Sequence, residues 1–258
     1  MRLFVSSFSK NMQYNIFVQS EVTIMSRIIL VGGGSSSGKS YITTNVIKNI
    51  NSNEITRISI DDFYKDQSDV SMEERIKVNY DHPKAFDWKL MRSQISCLKN
   101  DIAIDKPVYD FTIHNRSDKT EHIVPKKIVV VEGIMALVDK QLRELSDLKI
   151  FITATPEVRF LRRFIRDHTE RKRSYENIVH QYITTVAPMY EEIVKPSSNY
   201  ADLIINNDGI ANNAMDVLEC VFKDQLEKAC DGKSHQKEPN NEFSEDVLNK
   251  VFQGATKI

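Results

Sequence analysis

The stretch GGGSSSGKS, residues 32–40, joins the apolar run RIILVG at 27–32 to residues 39–50, whose apolar side chains recur at helical spacing. So many small residues cannot pack a hydrophobic core, but they let successive backbone N–H groups point inward around phosphate oxygens. Gly33 to Ser40 matches the pattern G-x-x-x-x-G-K-[ST] between a strand and a helix, the context in which that pattern binds nucleoside triphosphates. The sequence therefore predicts a phosphate-binding loop (P-loop) followed by a helix whose N-terminus adds partial positive charge.

Two side chains of the P-loop are candidates for phosphate and metal chemistry. Lys39 is expected to neutralise the β- and γ-phosphates, and Ser40 is expected to ligate Mg²⁺. An ordinary glycine–serine turn is the alternative interpretation, which the complete match in this context disfavours. The predicted nucleotide-binding residues are Gly33, Gly34, Ser35, Ser36, Ser37, Gly38, Lys39 and Ser40.

Continuous apolar runs alternate with helical stretches through the middle of the chain. This alternation favours an α/β fold of the P-loop NTPase type, a doubly wound parallel sheet covered by helices on both faces. Pro107 interrupts the apolar run 103–111, so that run is expected to form an edge strand or a hairpin outside the central sheet. The predicted strands are 27–32, 55–60, 127–133, 148–154 and 201–207, and the predicted helices are 39–50, 84–99, 156–170, 174–194 and 211–229.

Composition limits the classes of protein to consider. Of 258 residues, 41% are hydrophobic and 28% are charged, which is ordinary for one globular domain with a sizeable core. The net charge of -1 gives no overall field that would draw the chain to nucleic acid or a membrane surface. The longest apolar runs, 28–31 and 128–131, are far shorter than the ~20 residues of a membrane-spanning helix. Cys97, Cys220 and Cys230 lack the spacing of metal ligands or disulfides, so we expect reduced thiols in the cytoplasm.

Both ends of the chain differ from its middle. Residues 1–26 contribute no motif and are predicted to be a disordered N-terminal extension. The absence of acidic residues before Glu21 leaves a transit peptide as the alternative. Residues 27–230 are expected to form one domain, followed by a polar linker and C-terminal tail at 231–258.

Two neighbouring carboxylates, Asp61 and Asp62, follow the strand 55–60 at the edge where open α/β sheets bind ligands. A P-loop enzyme that phosphorylates a hydroxyl needs such a carboxylate to orient and deprotonate the acceptor. The sequence lacks the guanine-reading motif N-K-x-D of GTPases, and the strand 127–133 ends in Glu132 instead of the aspartate usual in motor and switch ATPases. These features favour a small-molecule kinase, and a turn or helix cap is the alternative role for the aspartates.

The segment VRFLRRFIRDHTERKRS, residues 158–174, is rich in arginine. Arg159, Arg163 and Arg166 follow the three- and four-residue spacing of one helix face. A basic, solvated helix end is the simpler interpretation of such a run. Beside a P-loop, the run instead predicts an arginine-rich lid that closes over the triphosphate and shields it from water.

Further motifs accompany the P-loop in a definite order. They are DDFY (61–64), NYDHPKAFD (79–87), PVYDFTIHNR (107–116), VVVEGI (129–134), RRFIRD (162–167), ERKR (170–173), QYITTVAPMYEE (181–192) and YADLII (200–205). Taken in this order, they resemble the motifs of the uridine kinase (uridine–cytidine kinase) family over residues 27–230. The resemblance implies a small β-hairpin lobe that covers the acceptor nucleoside.

The resemblance also implies an activity, the ATP-dependent phosphorylation of the ribose 5′-hydroxyl of uridine or cytidine, with Mg²⁺ and a tetrameric homo-oligomer. It implies that Asp61 is the base that takes the hydroxyl proton. Asp62 would then serve as a turn or cap residue, because neighbouring side chains of an extended segment point to opposite faces. Arg166 and Arg171 would act on the transferred phosphoryl group, and Glu132 would lie near Mg²⁺. Nucleoside contacts are implied for Tyr64, Tyr80, Asp81, Tyr109, His114, Arg116, Arg163, Arg173 and Gln181.

Two alternative functions stay open at this point. An enzyme of the phosphoribulokinase or nicotinamide riboside kinase type would phosphorylate another hydroxyl, and the motif at 107–116 argues against both. A nucleotide-binding regulatory protein without catalysis is disfavoured by the presence of Asp61, Lys39 and Ser40.

Three departures from the family pattern concern the lid and the donor side. Lys172 replaces a glycine common in the lid, Ala187 replaces a lysine, and NNDG at 206–209 replaces Pro-Arg-Gly. Because the last segment lies near the adenine end in the family, the preference for a donor nucleotide is left open.

Overall fold

The structure, a computed structural model, describes residues 25–209 and 211–230. The predicted N-terminal extension, except for Met25 and Ser26, and the predicted tail 231–258 lie outside these residues. Within the described ranges, no helix is both long and apolar enough to cross a membrane.

Strands from across the chain form one parallel sheet and one separate hairpin. They are β1 (Arg27–Gly32), β2 (Ile55–Ser59), β3 (Ile104–Asp110), β4 (Asn115–Ile123), β5 (Ile128–Glu132), β6 (Leu148–Thr153) and β7 (Leu203–Asn206). The sheet has the spatial order β2-β5-β1-β6-β7, and all its pairs are parallel. The inner strands β1 and β5 are buried along their whole length because continuous apolar runs can face helices on both sides.

Helices cover both faces of the sheet, which confirms the predicted doubly wound α/β fold. They are α1 (Lys39–Ile50), α2 (Met72–Arg75), α3 (Trp88–Lys99), α4 (Lys140–Leu145), α5 (Pro156–Thr169), α6 (Tyr175–Gln181), α7 (Ala187–Met189) and α8 (Asn212–Cys230). On one face, Val46 of α1 and Phe222 of α8 pack in a core with Ile29 of β1. On the other face, Met91 of α3 packs with Leu30, the next residue of the same strand.

The strands β3 and β4 form an antiparallel hairpin outside the central sheet, as Pro107 predicts. Their register shifts between Pro107 and Tyr109. Lys106 in β3 is buried, and its Nζ lies 2.5 Å from the Asp62 carboxylate that follows β2. This partly buried ion pair joins the hairpin to the edge of the sheet where ligands bind.

The predicted helix 84–99 starts later than its pattern indicates. Pro83–Ala85 forms a 3₁₀ turn, and the first regular helical residue is Trp88. The cause is the Asp87 side chain, which accepts the N–H of Leu90 and caps the helix at that point.

The predicted helix 174–194 forms as one uninterrupted helical segment, but parts of it are π-helical instead of α-helical. Two π-helical segments, Tyr182–Val186 and Tyr190–Val194, flank α7. Pro188 lies in α7, where its missing N–H removes a helical hydrogen bond. The sequence did not predict α4, a single short helix of Lys140–Leu145.

Candidate active site

The P-loop depends on glycine at two positions of left-handed backbone. Gly33 has a φ of 140° and Gly38 a φ of 98°, which residues with a Cβ rarely adopt. A Cβ on Gly33 would also collide with the carbonyl of Ile152, and one on Gly38 would collide with the amide of Asn207. Asn207 Nδ2 donates to the Ser37 carbonyl at 2.8 Å, so the residue after β7 supports the loop from behind.

Lys39 begins α1 and is buried with its charged end beside the P-loop backbone. Its Nζ donates to the Gly34 carbonyl at 2.8 Å. Burial lowers the pKa of Lys39 to about 8, against the opposing influence of the Glu132 and Asp61 carboxylates. A cation in this position is suited to the neutralisation of phosphate oxygens.

The serine hydroxyls of the P-loop are arranged for a polar ligand. Ser35 Oγ accepts a hydrogen bond from Arg163 Nη1 at 2.8 Å. The hydroxyls of Ser36 and Ser37 are buried without a partner in the part of the chain that the structure describes. Buried polar groups are nearly always paired in folded proteins, so this pattern is typical of a binding loop.

A cavity of about 360 Å³ lies in front of the P-loop, at the C-terminal edge of the sheet. The P-loop, the turn after β2, the hairpin and helices α5 and α6 all contribute to its wall. The predicted site residues in this wall are Ser35, Ser36, Gly38, Lys39, Ser40, Asp61, Tyr64, Tyr80, Asp81, Tyr109, His114, Glu132, Arg163, Arg166, Arg171, Arg173 and Gln181.

Asp61 and Asp62 have different surroundings, although they lie in the 3₁₀ turn Ile60–Phe63 and not in the extended segment on which the predicted alternation was based. Asp61 lies in the cavity wall, where burial raises the pKa of its carboxyl to about 6. Asp62 pairs with Lys106 and accepts the backbone N–H of Tyr109 at 3.4 Å. Of the two roles predicted for Asp62, turn or cap, it has the first: it lies in the turn Ile60–Phe63, whose cap is Ser59 Oγ, which accepts the Asp61 N–H at 3.2 Å.

Three tyrosines form an aromatic wall opposite the P-loop. The ring centroid of Tyr64 lies 5.1 Å from that of Tyr80 and 5.0 Å from that of Tyr109. The Tyr109 hydroxyl is buried and has no hydrogen-bond partner among the described residues. An unpaired buried hydroxyl costs about 1–3 kcal/mol, so this end of the cavity is suited to a flat ligand with a polar edge.

Asp81 and His114 add ionisable groups to the same end of the cavity. Burial raises the pKa of Asp81, and Arg163 acts in the opposite direction. His114 lies at the hairpin turn with a φ of 49°, and its ring centroid is 5.7 Å from that of Tyr80. Burial, and then the charge of Arg173, lowers the pKa of His114, so its imidazole is neutral at pH 7 and can both donate and accept.

Ser40 and Glu132 form an oxygen-rich corner at the start of α1. Ser40 Oγ donates to Glu132 Oε1 at 2.9 Å, and Arg57 Nη1 lies 2.6 Å from the same oxygen. Hydroxyl and carboxylate oxygens fit the preference of Mg²⁺, which usually binds one or two protein ligands together with substrate phosphates. Among the described residues, no three His, Cys, Asp or Glu side chains converge as a metal site.

The arginine-rich segment forms one wall of the cavity. Arg163 Nη2 and Arg173 Nη1 both donate to Gln181 Oε1, each at 2.8 Å. Arg171 lies 5.5 Å above the ring of Phe111 at the hairpin turn, so the lid and the hairpin meet across the opening. Arg159 does not line the cavity, because its guanidinium is buried 3.5 Å above the ring of Tyr190.

Comparison with known proteins assigns this chain to a family of kinases. The family model described as "Phosphoribulokinase / Uridine kinase family" matches residues 28–213. The chain belongs to this family. It is 44% identical to the uridine kinase of Deinococcus deserti over 191 residues, which cover 74% of this chain and 92% of that protein. It is 43% identical to the uridine kinase of Clostridium perfringens over 206 residues, which cover 79% and 99%.

A solved structure of phosphoribulokinase from Rhodobacter spheroides shares the fold. Its TM-score is 0.54 at 14% sequence identity, and the match covers 71% of this chain and 70% of that one. The predicted P-loop kinase fold is thus confirmed, and the protein is a nucleotide-dependent phosphotransferase of the phosphoribulokinase / uridine kinase family.

One predicted nucleoside contact does not reach the cavity of this kinase. Arg116 Nε donates to the Tyr64 carbonyl at 2.7 Å, and its Nη2 lies 3.3 Å from Asp87 Oδ2. These bonds hold Arg116 on the outer side of the aromatic wall. Because β4 presents the Arg116 side chain to the turn after β2, the structure does not bring it together with the other predicted nucleoside contacts. Gly33, Gly34 and Ser37 also do not line the cavity, although they belong to the P-loop.

Two residues near the arginines of the kinase were not predicted. Arg162 lines the cavity, and its Nη1 is buried without a partner among the described residues. Asp167 is fully buried and forms ion pairs with arginines of the lid. An acidic residue placed among the arginines of the run 158–174 is the sequence signal that could have revealed Asp167.

The departures from the family pattern have local consequences. Lys172, in place of glycine, adopts a left-handed φ of 56° between two lid arginines. The segment 206–209 packs behind the P-loop, where Asp208 Oδ1 accepts the N–H of Thr155 at 2.5 Å. This segment therefore braces the donor side of the site and the start of α5.

Proposed function

We propose that the protein transfers the γ-phosphoryl group of ATP to the ribose 5′-hydroxyl of uridine or cytidine. The observation that carries the proposal is a single cavity that combines the P-loop lysine, Lys39, with a buried carboxylate, Asp61, and the aromatic wall. Relatives named uridine kinase, of which the chain covers nearly the whole length, support this acceptor. The product is the nucleoside monophosphate, a product of pyrimidine salvage.

In the proposed reaction, Asp61 receives the proton of the acceptor hydroxyl. A pKa of about 6 leaves most of the carboxylate ionised at pH 7 but basic enough to take a proton as the hydroxyl attacks. Ser59 and the turn after β2 hold Asp61 at the sheet edge. The neighbouring Asp62 is engaged by Lys106 and cannot take the same role.

Charge on the transferred group is balanced by residues of the P-loop and the lid. Lys39 and the P-loop N–H groups bind the phosphates, and Arg166 and Arg171 stabilise the charge that spreads over the transferring oxygens. Ser40 and Glu132 would hold Mg²⁺. When bound there, Mg²⁺ would supply positive charge that neutralises phosphate oxygens.

The acceptor end is proposed to recognise a pyrimidine nucleoside. The Asp81 carboxylate can accept both ribose hydroxyls, with Arg163 and Gln181 beside it. Tyr109 and His114 would bind the polar edge of the base, since their donors and acceptors face the cavity. A base that cannot pair with these groups leaves them unsatisfied and is rejected.

We further propose that residues 27–230 act as one catalytic domain, in the cytoplasm, on free nucleosides, as a homo-oligomer. The family match to residues 28–213 supports the domain limits. The net charge of the full chain is only -1, so no overall positive charge favours a nucleic-acid partner, and this supports small molecules as substrates.

The test is ADP release by the full chain with Mg-ATP and a panel of acceptors. Uridine and cytidine should support turnover at least tenfold faster than adenosine, nicotinamide riboside or ribulose 5-phosphate. Faster turnover with either of the last two would favour the alternative kinases. Binding of ATP without ADP release for any acceptor would favour a non-catalytic regulatory protein.

A further inference from the structure

Asp167 lies at the centre of the lid, where its two carboxylate oxygens hold separate pairs of arginines. Oδ1 lies 2.7 Å from Arg166 Nη2 and 3.5 Å from Arg171 Nη1. Oδ2 lies 3.3 Å from Arg173 Nη1 and 3.5 Å from Arg163 Nε. The side chain of Asp167 has 0% exposure and does not line the cavity, so it acts only through these arginines.

The pair on Oδ2 faces the acceptor end of the cavity. Arg163 and Arg173 share the Gln181 side-chain oxygen, each at 2.8 Å. Arg163 is also the strongest cationic influence on the pKa of Asp81, which burial raises. A nucleoside that displaced Asp81 or Gln181 would therefore shift these two guanidinium groups, and through them change the contacts of Asp167 Oδ2.

The pair on Oδ1 faces the reacting end of the cavity. Burial raises the pKa of Asp61, and the charge of Arg171 opposes that rise. Burial lowers the pKa of Lys39, and the charge of Arg166 lowers it further. Both arginines thus lie close enough to the proposed base and the P-loop lysine to act on the transferring phosphoryl group.

The backbone fixes the positions of the lid arginines relative to Asp167. Arg163 and Arg171 flank Asp167 at four residues on either side, and the N–H of Arg173 donates to the Asp167 carbonyl at 3.1 Å. Burial opposes the ionisation of Asp167, but the surrounding arginines outweigh it and hold its pKa below the usual range. Because the Asp167 side chain is shielded from solvent, a change in one of its ion pairs alters the other ion pairs on the same carboxylate.

We propose that Asp167 is a positioning residue that couples the acceptor-binding arginines to the phosphoryl-binding arginines. A nucleoside that orders Arg163 and Arg173 then orders Arg166 and Arg171 through the shared carboxylate, so each substrate favours the binding of the other. This inference rests on the proposed nucleoside kinase activity.

The test measures this coupling in the full chain by calorimetry. The Kd for uridine is determined alone and with a saturating non-hydrolysable ATP analogue and Mg²⁺, and the ratio of the two values is the coupling factor. In the unmodified protein, we expect a coupling factor of about 5 or more. In Asp167→Asn, we expect a factor within about twofold of 1, together with a fall in kcat of about tenfold or more, because the arginines lose their common anchor.

Two controls separate coupling from a merely structural role. Glu157→Gln removes an exposed carboxylate from the first turn of the same helix and should keep the full coupling factor. Asp167→Glu keeps the negative charge but displaces both oxygens, so its coupling factor should lie between that of Asp167→Asn and that of the unmodified protein. A structural role would instead change the melting temperature and leave the coupling factor of the folded protein unchanged.

Failure of the proposed role of Asp167 can be distinguished from failure of the proposed nucleoside kinase activity. If the unmodified protein releases no ADP with uridine or cytidine, the proposed function is wrong. If it is active but its coupling factor is 1, or if folded Asp167→Asn keeps the full factor, the role of Asp167 is wrong. If Asp167→Asn does not fold, Asp167→Glu decides: its longer side chain displaces both oxygens, and an unchanged coupling factor would overturn the inference.

Discussion

The donor half of the cavity is built from consecutive residues of the P-loop, whereas the acceptor half collects side chains from five separate segments. Backbone N–H groups and glycine conformations define the donor half, and a few side chains such as Lys39 complete it. The acceptor half depends on side chains from the turn after β2, the segment before α3, the hairpin, α5 with the lid residues that follow it, and α6. The first half is a local structure, and the second exists only in the folded domain.

This difference shows how one fold serves different acceptors. A backbone loop between β1 and α1 binds phosphate whatever the rest of the chain contains, because its geometry is set by local residues. The acceptor half can change by substitution in the hairpin or lid without disturbing that loop. The two halves meet at Asp61, which lies beside Lys39 on one side and the tyrosines on the other.

We expect the largest effect on kcat from substitution of Asp61, the residue where the two halves meet. Asp61→Asn keeps the size of the side chain but cannot accept the hydroxyl proton, so kcat should fall by about 10²- to 10⁴-fold. The Kd for uridine should change little, as titration of both proteins would show. The matched control is Asp62→Asn, which disturbs the Lys106 ion pair and should cost much less in kcat. If Asp62→Asn is the slower enzyme, the base has been assigned one residue too early.

The next effect tests the donor half alone. Lys39→Ala removes the buried cation at the phosphates and should lower kcat by about 10²- to 10³-fold, with the fold retained. The Kd for uridine in the absence of ATP should stay within about twofold, because Lys39 lies on the other side of Asp61. Near-normal turnover by a folded Lys39→Ala protein would be incompatible with phosphoryl transfer at this loop. Lys48→Ala, an exposed lysine at the end of α1, provides the control.

The two halves should also be separable by pH. Asp61 has a raised pKa of about 6, so it is protonated below that value, and kcat/KM should fall about tenfold per unit of pH below 6. Lys39 has a lowered pKa of about 8, so it loses its charge above that value, and a second fall should begin there. A pH profile of kcat/KM for ATP checks both limbs. A profile of Asp61→Asn that retains the acidic limb would show that another group causes it.

The smallest effect is expected for the acceptor half alone. Tyr109→Phe removes a buried hydroxyl that has no partner in the described protein and should raise the KM for uridine by about 5- to 10-fold. The KM for ATP should be unchanged, since Tyr109 lies in the aromatic wall. Steady-state kinetics with each substrate varied in turn measures this difference. Tyr175→Phe, at a half-exposed position on α6, is the control, and an equal rise of both KM values would contradict the assignment.

Much of the fold follows from local patterns in the chain. The apolar runs of β1 and β5 require burial on both sides, and the P-loop glycines require a tight turn between β1 and α1. The start of α3 was predicted less well, because the Asp87 cap changes the backbone without changing the apolar pattern. Pro188 within α7 likewise alters the winding of a helix whose apolar pattern is unchanged. The π-helical segments have no signal in hydrophobic periodicity at all.

The phosphate-binding role of residues 33–40 could be predicted from the chain alone because one short segment contains both the backbone geometry and the charges it needs. Strand alternation was the reason for separating Asp61 from Asp62, but the two lie in a 3₁₀ turn, and only packing showed that Lys106 engages Asp62. Tertiary structure alone decided that Arg116 lies outside the cavity and that one buried carboxylate, Asp167, holds the lid arginines. Contacts between distant segments depend on how the hairpin and α5 pack against the sheet, and local sequence does not encode that packing in any one motif.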